Sequence, residues 1–154
     1  VMAECLVGNG DRAYEYYRAY MPSAYNERAE VREIEPYVHS QTTYATCNPN
    51  AGKSRVPWLT GTVSWSYFVA LQYVLGLRPE VDGLRIDPCI PKSWPGFEAR
   101  RVFRGRTLHI QVDNSARVNR GVRRLVIDGK PIDGNLAPLT ALRDGSRVEA
   151  RLEG

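Results

Sequence analysis

The 154-residue sequence contains no long hydrophobic run and only three cysteines. It also contains no internal repeat and no low-complexity segment. No apolar stretch approaches the ~20 residues of a transmembrane helix, and none has the pattern of a signal peptide. The three cysteines, Cys5, Cys47 and Cys89, are odd in number and lack metal-ligand spacing. We therefore expect reduced thiols, no metal site and a cytoplasmic protein. With 43% hydrophobic and 25% charged residues, the chain can bury a core.

Positive charge is concentrated in the second part of the chain. Residues 98–154 hold 12 Arg and Lys against 7 Asp and Glu, whereas residues 1–97 hold 9 against 10. A basic segment can bind nucleic acid or a membrane surface. Here, however, the arginines alternate with apolar residues, as in residues 104–112, which is typical of the solvated face of a β-sheet. We therefore expect no nucleic-acid partner.

The first 57 residues combine two helical patterns with a long connection. Residues 1–6 and 11–20 are predicted helices separated by a Gly-Asn-Gly turn, and Asp11 is a candidate cap of the second. Because the sequence opens on Val1 in what resembles the middle of a helix, we expect it to be a piece of a longer protein. Residues 22–57 show little helical periodicity, and so long an irregular connection is often functional. The ordinary alternative is a solvated loop.

Residues 58–76 predict a helix that is apolar on almost every face. Thr60 is a good N-cap, so its hydroxyl can accept a free N–H group of the first turn. Gly61 places no side chain over that turn, so an anion can approach the remaining amides and the positive end of the helix dipole. Gly76 is the predicted left-handed stop of the helix. An ordinary capped helix is the alternative interpretation of the same pattern.

From Leu84 onward, apolar residues recur at every second position, as in β-strands, and no longer at the spacing of an α-helix. Short alternating runs are interrupted by turn signals at Pro95-Gly96, Asp113-Asn114, Asp128-Gly129, Asp133-Gly134 and Asp144-Gly145. This pattern predicts an antiparallel sheet or sandwich, with a tight hairpin at Asp128-Gly129. Residues 78–83 are turn-forming and mark the predicted domain boundary. His109 is alone in a predicted strand and is expected to be structural.

An ordered set of short motifs covers nearly the whole chain, from about residue 1 to about residue 136. The motifs are Glu35-Pro36-Tyr37-Val38, Trp58-Leu59-Thr60-Gly61-Thr62, Leu75-Gly76-Leu77-Arg78-Pro79-Glu80, Asp82-Gly83-Leu84, Ile86-Asp87-Pro88-Cys89-Ile90-Pro91 and Phe103-Arg104-Gly105. Together they resemble the C-terminal end of glycoside hydrolase family 94. This family comprises cellobiose, chitobiose and cellobionic acid phosphorylases, together with the phosphorylase-like end of cyclic β-1,2-glucan synthases.

The resemblance implies an α+β fold in two domains. Residues 1–77 would form the last helices of an (α/α)6 catalytic barrel, and residues 78–154 a small antiparallel β-sandwich. It also implies the cleavage of a β-glucoside by inorganic phosphate with inversion, giving α-glucose 1-phosphate. Phosphate is then a substrate, and no cofactor is expected. One carboxylic acid must protonate the leaving oxygen, whereas the anionic nucleophile needs no base.

The resemblance assigns roles to residues as well. The threonine and glycine of the Trp-Leu-Thr-Gly motif contribute to the family's phosphate site, which carries over to Thr60 and Gly61. The catalytic aspartate, and the arginine and histidine that complete the site, lie upstream of this chain. We therefore expect no catalytic residue in it and no activity from the isolated chain.

The predicted substrate-binding residues come from the connection before the Trp58 motif. The form of this connection resembles the cellobionic acid branch, so Lys53 and Arg55 are candidates for binding an acidic acceptor sugar. The substrate-binding set is Glu35, Tyr37, His39, Gln41 and Arg55. Expected partners are a disaccharide or oligosaccharide, the rest of the barrel and a second copy in a homodimer.

Two alternatives remain open from the sequence. One is the end of a membrane-bound cyclic β-1,2-glucan synthase, which would place the chain at an inner membrane. The other is a non-catalytic β-sandwich that binds carbohydrate.

Overall fold

The computed structural model describes all 154 residues and has an α+β fold with few helices. The α-helices are α1 (Met2–Leu6), α2 (Gly10–Tyr20), α3 (Ala29–Arg32) and α4 (Thr62–Val69), with a 3₁₀ helix at Pro22–Arg28 and a π-helical turn at Ala70–Val74. The strands are β1 (Ser40–Thr43), β2 (Ser54–Pro57), β3 (Leu77–Pro79), β4 (Gly83–Ile86), β5 (Gly96–Phe103), β6 (Arg106–Asp113), β7 (Val122–Ile127), β8 (Lys130–Ile132), β9 (Leu136–Pro138) and β10 (Arg147–Leu152). Each helix is too short or too polar for a transmembrane span.

The chain divides into two compact units. One consists of Val1–Tyr14 together with Val69–Gly154, and the other of Glu15–Phe68. The first unit contains both larger sheets, and the second contains a β-hairpin with the short helices around it. The domain boundary after residue 77 stays a prediction about the complete protein.

The first unit contains two sheets. A five-stranded sheet has the order β5-β6-β10-β7-β8, and a three-stranded sheet has the order β3-β4-β9. The prediction of an antiparallel sheet was wrong at one place, because β10 pairs parallel with β6, from Arg147 opposite His109 to Arg151 opposite Asp113. Alternation with period two is the same in parallel and antiparallel strands, so the sequence pattern does not reveal the direction of a pair.

Apolar side chains from both sheets form one hydrophobic cluster. Strand β6 alternates between buried and exposed residues, and β10 does the same. Their buried residues join Leu84 and Ile86 of β4, both of which are fully buried. Burial of these side chains supplies about 25 cal/mol per Å² of apolar area, which makes the cluster the main source of this unit's stability. The two-layer arrangement agrees with the predicted sandwich.

The turn after β7 confirms one hairpin prediction. Asp128 and Gly129 have φ angles of 49° and 80°, as a two-residue hairpin turn requires, and Ile127 pairs with Lys130 across it. Gly76 also has the left-handed backbone predicted for it, with φ of 64°. Beyond Val69, however, the predicted α-helix is wrong, because the chain widens into the π-helical turn, where the Leu75 amide donates to the Ala70 carbonyl.

The two predicted N-terminal helices are confirmed as α1 and α2, but the predicted cap is wrong. Asn9 caps α2, since its Oδ1 accepts from the Arg12 amide at 3.4 Å. The Asp11 carboxylate instead accepts from the Lys92 amide at 3.0 Å. Asn9 and Asp11 are equally good capping residue types, so residue identity did not distinguish them.

The irregular connection predicted for residues 22–57 was also wrong. The chain forms the 3₁₀ helix, α3 and the β1–β2 hairpin, with Thr42 opposite Arg55. Strand β1 consists of Ser40, Gln41, Thr42 and Thr43, so it has no apolar alternation by which to recognise it. Hydroxyl contacts accompany the pairing instead, including Thr43 Oγ1 to Ser54 Oγ at 3.0 Å.

Asp87 forms ion pairs with two arginines of the first unit. Its carboxylate, with only 9% of the side chain exposed, accepts from Arg78 and pairs in bidentate fashion with Arg120 at 2.7 and 3.1 Å. Replacing Asp87 with asparagine is expected to lower the free energy of unfolding by about 2–3 kcal/mol, because two guanidinium groups lose a charged acceptor. Urea denaturation measures this loss. Asp133→Asn, in an exposed turn, is the control and should stay within about 0.5 kcal/mol of the parent.

Candidate functional site

The N-terminus of α4 has the geometry predicted for Thr60. Its Oγ1 accepts from the Thr62 amide at 3.1 Å and lies 2.8 Å from the Thr62 hydroxyl. The Gly61 carbonyl accepts from the Trp65 amide at 3.2 Å, which starts the helix. Thr60 therefore occupies one amide of the first turn, and the amides of Gly61, Val63 and Ser64 donate to no group of the chain.

Neither the backbone nor packing requires glycine at position 61. Its φ angle lies outside the left-handed range, and a Cβ atom added there would meet nothing closer than Trp65 Cδ1 at 4.0 Å. Gly61 is also exposed. A glycine costs conformational entropy at a helix start where alanine would fit. The open space above the free amides suits a ligand that must approach the backbone closely.

Two of the predicted substrate-binding residues, Glu35 and Tyr37, lie beside the exposed ring of Trp58. Tyr37 and Trp58, 71% and 66% exposed, lie edge to face with ring centroids 6.2 Å apart. Trp58 Nε1 donates to the Glu35 carboxylate at 3.3 Å. Exposed aromatic rings beside a carboxylate offer both an apolar surface and a hydrogen-bond acceptor, which is the combination that sugars bind.

The backbone before the Thr60-Gly61 turn is strained. Val56 and Trp58 have φ angles of 55° and 69°, in the left-handed region that β-branched and bulky residues avoid. Such conformations cost about 1–3 kcal/mol each and occur where the surrounding structure fixes a functional segment. The two strained residues lie five and three residues before Gly61.

His39 and Gln41 line a cavity of about 350 Å³ in the second unit. Arg28, Arg32, Tyr20 and Thr62 also line it. His39 is 8% exposed, with its ring 6.1 Å from that of Tyr20. Burial lowers the pKa of His39, and the Arg32 charge lowers it further, so the ring is neutral near pH 7.

Arg32 is a buried cation without a carboxylate partner. It is 8% exposed, and its guanidinium donates only to the carbonyls of Val38 at 3.1 Å and Pro22 at 3.5 Å. Sequence reasoning missed Arg32, because it lies in a stretch rich in charge that suggested a solvated surface. A buried positive charge at a cavity wall makes the cavity favourable to groups of negative charge or to electron-rich oxygen atoms.

The lowered pKa of His39 predicts a dependence of stability on pH. Above about pH 6.5 histidine is neutral in both states, and the folded protein keeps its full stability. As the pH falls below that value the unfolded chain takes up the proton first, so stability should decrease. Urea unfolding at a series of pH values should show a smaller decrease for His39→Gln. An unchanged slope in that variant would contradict the assignment.

Arg55 and Lys53 share a single carboxylate. Lys53 Nζ lies 2.9 Å from Glu33, and Arg55 Nη1 lies 3.2 Å from it. The hydrogen bond from Lys53 lowers the pKa of Glu33, and the one from Arg55 adds to this. The Arg55 guanidinium also lies 5.9 Å from the centre of the Tyr44 ring. The two cations therefore retain one net positive charge between them.

The structure thus places the predicted residues at four positions rather than in one site. Thr60 and Gly61 form the start of α4, while His39 and Gln41 line the cavity that Thr62 also borders. Glu35 and Tyr37 surround Trp58, and Arg55 is paired with Glu33. Their roles in binding phosphate and sugar stay predictions.

Comparison with known proteins finds two family models that match consecutive parts of the chain. Residues 1–76 match the family model "Glycosyl hydrolase 94 superfamily, catalytic domain", and residues 77–131 match "Glycosyl hydrolase family 65, C-terminal domain". Residues 1–76 thus belong to the glycosyl hydrolase 94 superfamily, which confirms the resemblance seen in the motifs of the chain.

Several curated proteins are similar over most of the chain. N,N'-diacetylchitobiose phosphorylase of Vibrio proteolyticus is 43% identical over 137 residues, which is 89% of this chain and 17% of that protein. Solabiose phosphorylase of Paenibacillus borealis is 35% identical over 90% of this chain and 18% of its own length. Cyclic beta-(1,2)-glucan synthase NdvB of Rhizobium meliloti is 29% identical over 76% of this chain and 4% of its own. The chain therefore spans a fifth or less of the length of the phosphorylases that it matches.

Proposed function

We propose that this chain is part of an inverting glycoside phosphorylase, which cleaves a β-glucosidic disaccharide with inorganic phosphate to give α-glucose 1-phosphate. The observation that carries the proposal is the similarity to several disaccharide phosphorylases over some nine tenths of the chain. The free amides at the start of α4 supply the matching chemistry.

In this proposal, phosphate binds at Thr60 and Gly61. The exposed amides after Gly61 donate to a phosphate oxygen, and the positive end of the α4 dipole adds to the attraction. The Thr60 hydroxyl, already bonded to the Thr62 amide, can donate its own proton to a second oxygen. Oriented donors of this kind hold the nucleophile in line with the anomeric carbon without reorganising during the reaction. A carboxylic acid from outside this chain protonates the leaving oxygen.

The acceptor sugar is proposed to bind beside the cavity. Neutral His39 can both donate and accept a hydrogen bond, and the Gln41 amide can do the same, which suits sugar hydroxyls. Tyr37 and Trp58 offer exposed aromatic rings to the apolar side of a pyranose, with Glu35 as acceptor. The net charge remaining on Lys53 and Arg55 makes an acidic acceptor possible.

The complete protein would contain further partners of this chain. Val63, Trp65 and Tyr67 of α4 are 54%, 64% and 68% exposed, and apolar side chains on more than one face of a helix normally pack against other elements. We propose that the remaining helices of the barrel cover it, and that the complete enzyme is a homodimer. No cofactor is needed in this chemistry. The isolated 154 residues should release no glucose 1-phosphate from any β-glucoside.

A chimera tests the proposed function. The matching 137-residue segment of the Vibrio proteolyticus phosphorylase is replaced by the corresponding residues of this chain. If the segment performs the same role, the chimera should cleave N,N'-diacetylchitobiose in the presence of phosphate and release the sugar 1-phosphate. A folded chimera without phosphate-dependent cleavage, beside an active parent enzyme, would contradict the proposal.

A region of a cyclic β-1,2-glucan synthase is the second candidate, supported by the similarity to the NdvB protein. The two differ in substrate. Phosphate-dependent shortening of β-1,2-glucan oligosaccharides by the complete protein, with no cleavage of disaccharides, would favour the synthase.

A further inference from the structure

The lining of the cavity in the second unit carries positive charge and contains no acidic residue. Arg28 and Arg32 contribute two guanidinium groups, whereas every other lining residue is neutral near pH 7. Glu33, next to Arg32 in the sequence, lies outside the lining and is paired with Lys53 and Arg55. Positive charge that no carboxylate compensates favours an anionic ligand in the cavity.

Arg32 has hydrogen-bonding capacity left for such a ligand. Only 8% of the residue is exposed, and its guanidinium uses two of its five N–H groups, on the carbonyls of Val38 and Pro22. The two carbonyls hold the guanidinium in place, so little conformational entropy is lost when an anion binds to it. A carboxylate matches the planar fork of N–H groups better than a neutral oxygen does.

Arg28 adds a second and more accessible charge to the same cavity. Its side chain is exposed, and no carboxylate of the chain pairs with it. The Nη2 atom of Arg28 lies 4.0 Å from the position that a Cβ atom of Gly52 would take. That Cβ atom would also lie only 2.8 Å from Val31 Cγ1. Glycine at position 52 therefore keeps the space beside Arg28 open.

The size of the cavity and its uncharged polar groups suit a sugar that carries the anion. A volume of about 350 Å³ lies within the range of small-molecule sites, whereas a single small ion would fill only part of it. Hydroxyl and amide groups that can bind the hydroxyls of a sugar ring come from Ser40, Gln41, Thr42, Thr43 and Thr62. The Thr62 hydroxyl lies 2.8 Å from that of Thr60, so the cavity adjoins the proposed phosphate site.

We propose that this cavity binds a monosaccharide acid, such as a hexuronate, and that this sugar is the acceptor part of the disaccharide. Its carboxylate binds Arg32 inside the cavity and Arg28 at the opening, while Gln41 binds hydroxyls of the ring. The charge that selects an acidic acceptor then lies chiefly inside the cavity, not on Lys53 and Arg55. The role as acceptor rests on the proposed function, whereas the binding itself does not.

NMR titration of the isotope-labelled 154-residue chain tests the cavity directly. At pH 7 and constant ionic strength, D-glucuronate should shift the signals of His39 and Gln41 in a saturable way. D-Glucose lacks the carboxylate and should bind at least about tenfold more weakly. Inorganic phosphate is the second probe. If it shifts the same signals with equal or greater affinity, the cavity is a general anion site and the proposal is overturned.

Substitutions locate the charge that binds the carboxylate. Arg28→Gln should weaken glucuronate binding about 3–10-fold, and Arg32→Gln at least about 30-fold. Arg123→Gln removes the same charge from an exposed position of β7 and should leave the affinity within about twofold, because distant charges are screened. Loss of Arg32 also leaves two carbonyls without a donor, so Arg28→Gln decides the outcome if that variant does not fold. Unchanged binding in Arg28→Gln, or a larger loss in Lys53→Gln, would overturn the proposal.

The chimera separates this inference from the proposed function. If the cavity holds the acceptor, glucuronate should inhibit cleavage in competition with the disaccharide, and Arg28→Gln should weaken the inhibition about 3–10-fold. An active chimera that glucuronate does not inhibit would overturn the inference and leave the proposed function intact. Binding of glucuronate to the chain beside a folded but inactive chimera would support the cavity as a sugar-acid site and contradict the proposed function.

Discussion

Replacing Gly76 with alanine is expected to lower the free energy of unfolding by about 3–5 kcal/mol, the sum of a left-handed backbone penalty and a steric clash. The φ angle of Gly76 is 64°, and a Cβ atom there would lie 2.0 Å from the Asp87 carbonyl carbon and 2.3 Å from the Pro88 nitrogen. These are backbone atoms, which cannot rotate away. The Gly76 carbonyl also accepts from the Asp87 amide at 2.8 Å, so relief of the clash would break a hydrogen bond.

Gly129→Ala separates the backbone penalty from the clash. Gly129 has a similar left-handed φ of 80°, but a Cβ atom added to it would have no neighbour within 4 Å. Its loss should be about 1–2 kcal/mol, the cost of the left-handed conformation alone. Urea denaturation of both variants provides the comparison. Equal losses would show that Asp87 does not approach Gly76 as closely as the structure indicates.

Replacing Gly61 with valine in the chimera is expected to lower kcat/KM for phosphate by about 10²–10³-fold, the usual cost of losing an oriented backbone donor. Valine would place two methyl groups over the amides that Thr60 leaves free. Initial rates at varied phosphate and fixed disaccharide measure the effect. The KM for the disaccharide should change little, since the predicted sugar contacts lie on other residues.

Two control variants separate binding from folding. Gly61→Ala should leave stability within about 0.5 kcal/mol of the parent, because a Cβ atom there has open space and the φ angle is not left-handed. Thr60→Ser keeps the hydroxyl that accepts from the Thr62 amide, so phosphate kinetics should change only a few-fold. Normal phosphate kinetics in a folded Gly61→Val chimera would remove this glycine from the site.

Sequence patterns predicted those elements whose burial alternates. Strands β6 and β10 have regular apolar periods, and their burial follows them. The β1–β2 hairpin escaped prediction because its strands are polar and are held by backbone pairing and hydroxyl contacts. The parallel pairing of β10 with β6 was not predicted, because apolar residues alternate in the same way in parallel and antiparallel strands. Pairing partners far apart in sequence are set by the fold as a whole, not by local propensity.

The candidate site likewise contains residues that have a local sequence signal and residues whose contacts depend on the whole fold. Thr60 was recognisable because an N-cap has a local signal, and its contact with the Thr62 amide agrees with that signal. Arg32 was not recognisable, because its burial depends on Pro22 and Val38, whose carbonyls it binds. The pairing of Arg55 with Glu33, 22 residues apart, likewise arises only when the hairpin forms.

A crystal structure of the chimera with bound phosphate tests the central claim most directly. We predict a phosphate oxygen within about 2.7–3.2 Å of an amide nitrogen at the start of α4 and of the Thr60 hydroxyl. A phosphate bound elsewhere in an active chimera, with the amides following Gly61 exposed only to solvent, would contradict the account.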